Sequence, residues 1–260
     1  MYNQQEIDKI RYNSIPEQKL LIGSKWVKAK QGKIQNIISP INGEKISEIQ
    51  VSDEADVDEA VKSSRAIFEK GQWSNMPPAA KKKVMHKIAD LIEGSMLELA
   101  VLGVRDNGTE INMAYKAEPG SAAGTFRYYA EAIDKVYGEI SNTSNDFVGL
   151  IQREPVGVVG AIVPWNFPLM IGAWKIAPAL AMGNSVVIKP PEAASLSILR
   201  LGEICLEAGL PPGTLNIVTG NGRTTGQALS LIHISRAHET PEHRVCRLLR
   251  EKKKGGGGGG

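Results

Sequence analysis

The chain has 260 residues, 42% of them apolar, and a formal charge of +3 from 31 Lys and Arg against 28 Asp and Glu. That length and apolar fraction bury a sizeable core and exclude a disordered chain. Residues 231–260 hold seven basic and three acidic residues, which leaves 24 basic against 25 acidic in the near-neutral body and no basis for a nucleic-acid or membrane-surface partner.

Residues 1–6 are polar and mixed in charge, unlike a secretory leader. Residues 19–22 and 25–27 read as short strands, followed by a turn at Ser39, Pro40, Ile41, Asn42 and Gly43 and a strand over 46–51. Ser52 or Asp53 can cap a helix in which Val57, Ala60, Val61, Ala66, Ile67 and Phe68 recur largely at three- and four-residue steps until Gly71 ends it. The spacing of Val84, Ile88, Leu91, Ile92, Met96, Leu99 and Leu102 predicts one long amphipathic helix over 79–104. His86 lies within it, four residues from Asp90, and reads as an exposed helix histidine. A further helix is expected over 120–136, with Phe126, Tyr128 and Tyr129 as core or helix-contact residues.

The pattern then changes. Strands over 147–152, 157–163, 185–189 and 215–218 come with helices over 169–181 and 195–207, the latter ending at Gly209. Strands alternating with helices indicate parallel βαβ units, because parallel neighbours need a long crossover. The expected fold class is therefore α/β: an incomplete doubly wound parallel sheet, a Rossmann-like cofactor domain, with small antiparallel strand additions. The longest apolar stretch, 156–164, is interrupted by glycine and falls far short of the roughly 20 residues of a membrane span.

In open α/β sheets, ligands lie beyond the carboxyl ends of the strands. Three segments end strands here: residues 163–168, 188–192 and 218–226. The last has Gly220, Gly222 and Gly226, with three residues between the second and third glycines where a dinucleotide fingerprint needs two. It offers backbone N–H groups at a helix start for an anion, or serves as a plain strand-to-helix turn. Lys189 and Glu192 either contact a ribose or phosphate or form a solvated strand end with a helix cap. The Asn166 amide either donates to a developing oxyanion or caps the helix that starts near Pro168.

Taken together, residues 163–169, 178–190 and 207–213, in their order and spacing, resemble the aldehyde dehydrogenase superfamily over roughly residues 20–228. Residues 68–74 and 127–138 are most similar to the members that oxidise γ-glutamyl-γ-aminobutyraldehyde in putrescine breakdown. The resemblance implies NAD(P)-dependent oxidation of an aldehyde to a carboxylic acid through a cysteine thiolate, hydride transfer to nicotinamide, and hydrolysis by a glutamate-activated water. It implies Asn166 as the catalytic oxyanion donor. It also implies Lys189 and Glu192 as adenosine-ribose contacts, Val163, Pro164 and Trp165 as the cofactor wall, and Gly222 and Gly226 as glycines beside the adenine. Glu192 would repel a 2′-phosphate, so NAD is favoured over NADP. Betaine-aldehyde or general aliphatic aldehyde dehydrogenases are the alternative within the family, and a non-catalytic nucleotide-binding or assembly fragment the alternative outside it.

The family's nucleophilic cysteine, activating glutamate and pyrophosphate-holding Gly-Ser turn come later in the chain than anything that matches here. Cys205 is the one cysteine of the body and sits in the expected 195–207 helix, where no helix N-terminus or base would lower its pKa. One thiol and one imidazole cannot make a four-ligand zinc site, so no metal is expected, and a reducing cytosol is the expected compartment. Residues 1–228 are thus read as a partial NAD(P)-binding domain with part of an assembly strand extension at about 140–155, the catalytic domain being absent. Residues 229–235 resemble a translated sequencing adapter, and Lys252 to Lys254 followed by Gly255 to Gly260 resemble translated homopolymers. The stretch 229–260 is therefore read as non-native read-through, against a natural basic tail. The expected partners are a small-molecule aldehyde and, in a full-length family member, further copies of itself, with neither nucleic acid nor membrane.

Overall fold

The computed structural model describes residues 2–231; most of the basic, glycine-ended stretch, with Cys246, lies outside the described residues. Its centre is a five-stranded sheet ordered β2-β1-β9-β8-β7, built from β1 Leu20–Ile22, β2 Lys25–Val27, β7 Val158–Ile162, β8 Ser185–Lys189 and β9 Leu215–Ile217. The β7-β8-β9 part is parallel, as the alternation predicts, while β1 pairs antiparallel with both β2 and β9. The sheet is therefore mixed. The first hairpin closes the side of β9 that a purely parallel sheet would leave open, so β7 and β2 are its edges. Two separate hairpins complete the strands: β3 Ile34–Ile38 with β4 Lys45–Gln50, and β5 Glu139–Ser141 with β6 Gly149–Ile151.

Every residue of β8 is buried, as a central strand covered on both faces requires. Val186 and Ile188 join the main core with Leu169, Ile176 and Leu180 of α6 Pro168–Ala181 and with Leu196 and Leu199 of α7 Leu196–Glu207. By the two-residue alternation Val187 points the other way, and α2 Glu54–Glu69 packs on β7, β8 and β9 with Val57 and Ala60 buried. Outside α6 lies a helical layer of α3 Pro78–Gly94, α4 Met96–Asn107 and α5 Ile111–Ala132. Among the described residues no helix is long and apolar enough to cross a membrane.

Several boundaries differ from the sequence expectation for local reasons. A helix α1 Gln4–Arg11 forms at the start, where Asn3 and Glu6 make a reciprocal capping box. The single helix expected over 79–104 is two, because Ser95 leaves helical geometry (φ −109°, ψ 15°). Helix α5 starts at Ile111, well before residue 120, with the Glu110 carboxylate accepting from the Met113 N–H. Pro119 lies inside it; proline reads as a helix start, but here packing on α3, α4 and α6 outweighs its missing N–H. The expected strand 147–152 shrinks to three residues paired with β5, and β3 was not separated from the loops around it. The aromatics of α5 divide: Phe126 is buried, whereas Tyr128 is exposed.

Trp73 ties α6 to the turn after α2: the indole is fully buried and Nε1 donates to Leu180 O at 2.9 Å. Replacing Trp73 by Phe should leave that carbonyl unpaired and a gap beside it. The loss should be about 1–3 kcal/mol in urea unfolding, and an unchanged midpoint would show that the bond contributes nothing.

Candidate functional site at the carboxyl edge of the sheet

The parallel register brings the three strand ends to one edge. Ile162 pairs with Lys189 and Ile188 with Ile217, and the ladder extends by one bond on each side: Val163 N–H donates to Lys189 O at 3.2 Å, and Val218 N–H to Ile188 O at 3.0 Å. Lys189 is buried; its Nζ donates to Pro190 O at 2.9 Å, and burial lowers its pKa while the nearby Glu192 charge opposes that fall. Glu192 is half-buried and its carboxylate makes no hydrogen bond among the described residues. Gly226 faces the Lys189 stem: a Cβ there would lie 3.7 and 3.8 Å from Cδ and Cε. Gly222 faces open space.

The 218–226 turn is shaped by backbone chemistry. Gly220 has φ +142°, and a Cβ there would fall 2.1 Å from Thr225 Oγ1, so only glycine fits. Thr225 Oγ1 donates to Ser52 O at 2.6 Å, Ser52 Oγ to Thr219 O at 2.7 Å and Thr219 Oγ1 to Gln50 O at 2.6 Å, which binds the turn to the end of β4. Residues Gly222–Gly226 form a π-helical turn leading into the short α8 Gln227–Ser230. One of the N–H groups expected to be open to an anion is taken, because the Asn221 carboxamide oxygen accepts from Thr224 N–H at 2.9 Å.

Between β7 and α6, Val163 is buried while Pro164, Trp165 and Asn166 are exposed. Asn166 does not cap α6: the N-cap is Phe167, with no side-chain cap bond. Its amide makes no side-chain hydrogen bond among the described residues. The loop is instead held through its backbone, where Asn107 Nδ2 donates to Trp165 O at 2.9 Å and Asn166 O at 3.1 Å.

Sequence reasoning missed the groups that set this edge. Glu118 of α5 is buried and accepts from Leu169 N–H at 2.9 Å and Met170 N–H at 3.4 Å, capping α6 from another helix. Asp106 of α4 is buried and accepts from Leu196 N–H at 2.8 Å, doing the same for α7, whose Ser195 has no capping side-chain bond. The Oδ1 atom of Asp106 is buried without a partner among the described residues. Burial pushes both carboxyls above their ordinary range, Asp106 furthest, with the Glu118 charge adding to its shift. A signal existed: Asp106 falls at helical spacing from Leu99 and Gly103, on a face that is otherwise apolar or small.

His86 and Cys205 take no part in this edge. His86 Nε2 pairs with Glu131 at 2.7 Å across α3 and α5, not with Asp90, which binds Arg127 at 2.7 Å. Cys205 is fully buried in α7, and burial pushes its thiol up to about 12. Among the described residues no cluster of three or more His, Cys, Asp or Glu could hold a metal ion.

The sequence profile of the Aldehyde dehydrogenase family matches residues 26–236. The chain belongs to the aldehyde dehydrogenase family. It is 45% identical over 214 residues to the NADP/NAD-dependent aldehyde dehydrogenase PuuC of Escherichia coli (strain K12), covering 82% of this chain and 43% of that protein. It is 42% identical over 229 residues to the phenylacetaldehyde dehydrogenase of Pseudomonas fluorescens, covering 86% and 45%. Its fold matches the crystal structure of an indole-3-acetaldehyde dehydrogenase complexed with NAD+ at TM-score 0.86 and 40% identity, over 89% of this chain and 47% of that one. The chain thus spans less than half the length of these aldehyde dehydrogenases.

The buried acid gives this dehydrogenase-family fold a pH dependence of known sign. Asp106 titrates near its ordinary 3.8 in the unfolded chain and well above it in the folded one, so the folded state binds the proton more tightly. Stability relative to an Asp106→Asn variant should rise as the pH falls through the raised value and level off below the ordinary one. Urea midpoints measured across that range check this, and a difference that is flat with pH would contradict it.

Proposed function

We propose that this chain is the cofactor-binding part of an NAD(P)-dependent aldehyde dehydrogenase, with NAD the favoured cofactor, and that it does not turn over aldehyde as it stands. The observation that carries the reading is the grouping of Lys189, Glu192 and Gly226 at the carboxyl edge, beside the loop that presents Asn166. Lys189 spends one ammonium hydrogen on Pro190 O and keeps two for ribose hydroxyls. The unbonded Glu192 carboxylate can accept from a pair of ribose hydroxyls and would repel a 2′-phosphate; this supports NAD even though PuuC is named for both cofactors. Gly222 and Gly226 would lie beside the adenine, and Val163, Pro164 and Trp165 would form a wall of the cofactor site. When bound, the dinucleotide supplies the hydride acceptor. Asn166, exposed and without a competing side-chain bond, would donate its amide hydrogens to the oxyanion that develops as a thiolate adds to the aldehyde carbonyl.

No described residue can supply that thiolate. Cys205 is sealed in the core with its thiol raised to about 12, the opposite of an activated nucleophile. The nucleophile and the water-activating base would then belong to sequence that continues the family's pattern; the read-through proposed in its place starts later than residue 229, because Leu229 is buried in α8 and the family match runs to residue 236. An aminoaldehyde such as γ-glutamyl-γ-aminobutyraldehyde is the favoured substrate of the whole enzyme, supported by the likeness of residues 127–138 to such enzymes and by the identity to PuuC. A reducing, cytoplasmic setting suits a chain whose described cysteine is a free thiol.

NAD+ at millimolar concentration should raise the melting temperature by mass action, and Lys189→Met and Glu192→Gln should each diminish the rise. NADH should not form from aliphatic aminoaldehydes. Absence of any NAD+ shift would remove the cofactor reading, and turnover abolished by Cys246→Ala would remove the prediction of inactivity.

The β5-β6 hairpin is proposed as an assembly surface for further copies of the chain. Ile140 and Leu150 on the two short strands, and Phe147 and Val148 just before β6, are each more than 70% exposed, and such edges invite strand pairing. Sedimentation should find oligomers that Ile140→Lys with Leu150→Lys reduces; a monomer at all concentrations would contradict the assignment.

A further inference from the structure

A second cleft, of about 230 Å³, opens between the end of α1, the β3-β4 turn and the last turn of α4. None of its lining residues belongs to the sheet edge described above. Arg11 and Arg105 face into it together with Tyr12, Ser39, Asn42 and Glu44. Neither arginine has a carboxylate partner among the described residues. Arg105 uses one N–H on Asn13 O at 2.8 Å, which fixes its guanidinium, and Arg11 Cζ lies 5.6 Å from the Tyr12 ring centroid. Of the other described arginines, Arg127 pairs with Asp90 and Glu93, Arg153 with Glu139 and Arg200 with Glu98 and Glu203, while the exposed Arg65 and Arg223 make no salt bridge among the described residues and do not line this cleft.

Arg11 and Arg105 thus bring two guanidiniums to one cleft with no carboxylate paired to either among the described residues. The Arg105 pKa is lowered chiefly by burial; the Asp106 charge opposes that fall, and the Arg11 charge adds a smaller lowering. The facing wall is a hydrogen-bonded turn of mixed character, with Ile41 and Ile46 beside the polar groups and Lys45, paired with Glu48, as a further cation. The turn closes with Ser39 N–H donating to Glu44 O at 2.8 Å and Gly43 N–H to Ser39 O at 2.9 Å, with Gly43 at φ +74°. Glu44 is the single acid of the wall, and Asn42 Nδ2 holds its carboxylate at 2.7 Å. Guanidinium forks match the spacing of oxygens on a tetrahedral phosphoryl group, to which they can donate in pairs.

We propose that this cleft is a binding site for a phosphoryl group, held between Arg11 and Arg105, on free phosphate or on a small phosphate monoester. The site lies outside the cofactor edge and needs no catalytic residue, so it stands or falls independently of the reading as a dehydrogenase.

Calorimetry and thermal shift at constant ionic strength, with inorganic phosphate and glycerol 3-phosphate as probes and chloride as control, test it on the whole chain. Saturable binding of either probe is expected, with affinity reduced about tenfold or more in both Arg11→Gln and Arg105→Met. Tighter binding of glycerol 3-phosphate would assign the ester, and tighter binding of inorganic phosphate the free anion. Arg11 is exposed at a helix end, so its variant keeps the test valid if Arg105→Met fails to fold. Three results would overturn the proposal: no saturable binding, equal binding by wild type and Arg11→Gln, or binding lost in Lys189→Met but kept in Arg11→Gln. The last would place the anion at the sheet edge.

Discussion

Two buried carboxylates hold this fold in register. The helices α6 and α7 begin right after the loops that carry Asn166 and Glu192, and neither has a capping side chain of its own. A helix N-terminus leaves unpaired N–H groups and a partial positive charge, and burying it without partners is costly. Glu118 and Asp106 supply those partners from α5 and α4, so the helical layer decides where the two βαβ crossovers start. The desolvation that raises both pKa values is the cost of this arrangement, offset by charge-assisted bonds to backbone N–H.

The same turn of α4 reaches both loops. Asp106 meets the first N–H of α7, and its neighbour Asn107 holds the carbonyls of Trp165 and Asn166. Gly108 then ends α4 in the left-handed conformation, with Pro40 against it, so the chain turns away at once. Because Asn107 fixes the loop by its backbone, the Asn166 side chain is left unbonded. The proposed role of Asn166 as an oxyanion donor would need this state, a side chain positioned by its surroundings without being consumed by them.

At the other end of the edge, three hydroxyls, Ser52, Thr219 and Thr225, stitch the glycine turn to β4 and the start of α2. Lys189 is consequently confined, with Gly226 against its stem and Pro190 O on its ammonium. The first hairpin serves the sheet too, since β1 pairs with β9 and covers a strand that the chain's parallel units leave without a neighbour on that side. The remaining parallel edge is β7, flanked by exposed Val156 and Ile162.

The parallel units, their order and the three strand ends were legible in the sequence, because valine-rich runs alternating with amphipathic helices admit few other arrangements and ligand loops follow strand ends by topology. Family membership was legible as well, in residues 163–169 and 178–190. The antiparallel additions β1 and β2 were recognisable as strands, but their place beside β9 depends on a contact of Leu21 with Ile217 that nothing local encodes. The Ser95 break, the early start of α5 and the pairing of His86 with Glu131 are likewise settings of tertiary packing over local preference. Asp106, Asn107 and Glu118 fall in sequence between the helices expected over 79–104 and 120–136, as ordinary polar residues of a connection. Only the folded chain places them against backbone groups of segments 50 or more residues away, where Asp106 and Glu118 are buried as well and a common side chain becomes the group that holds a loop or a helix start.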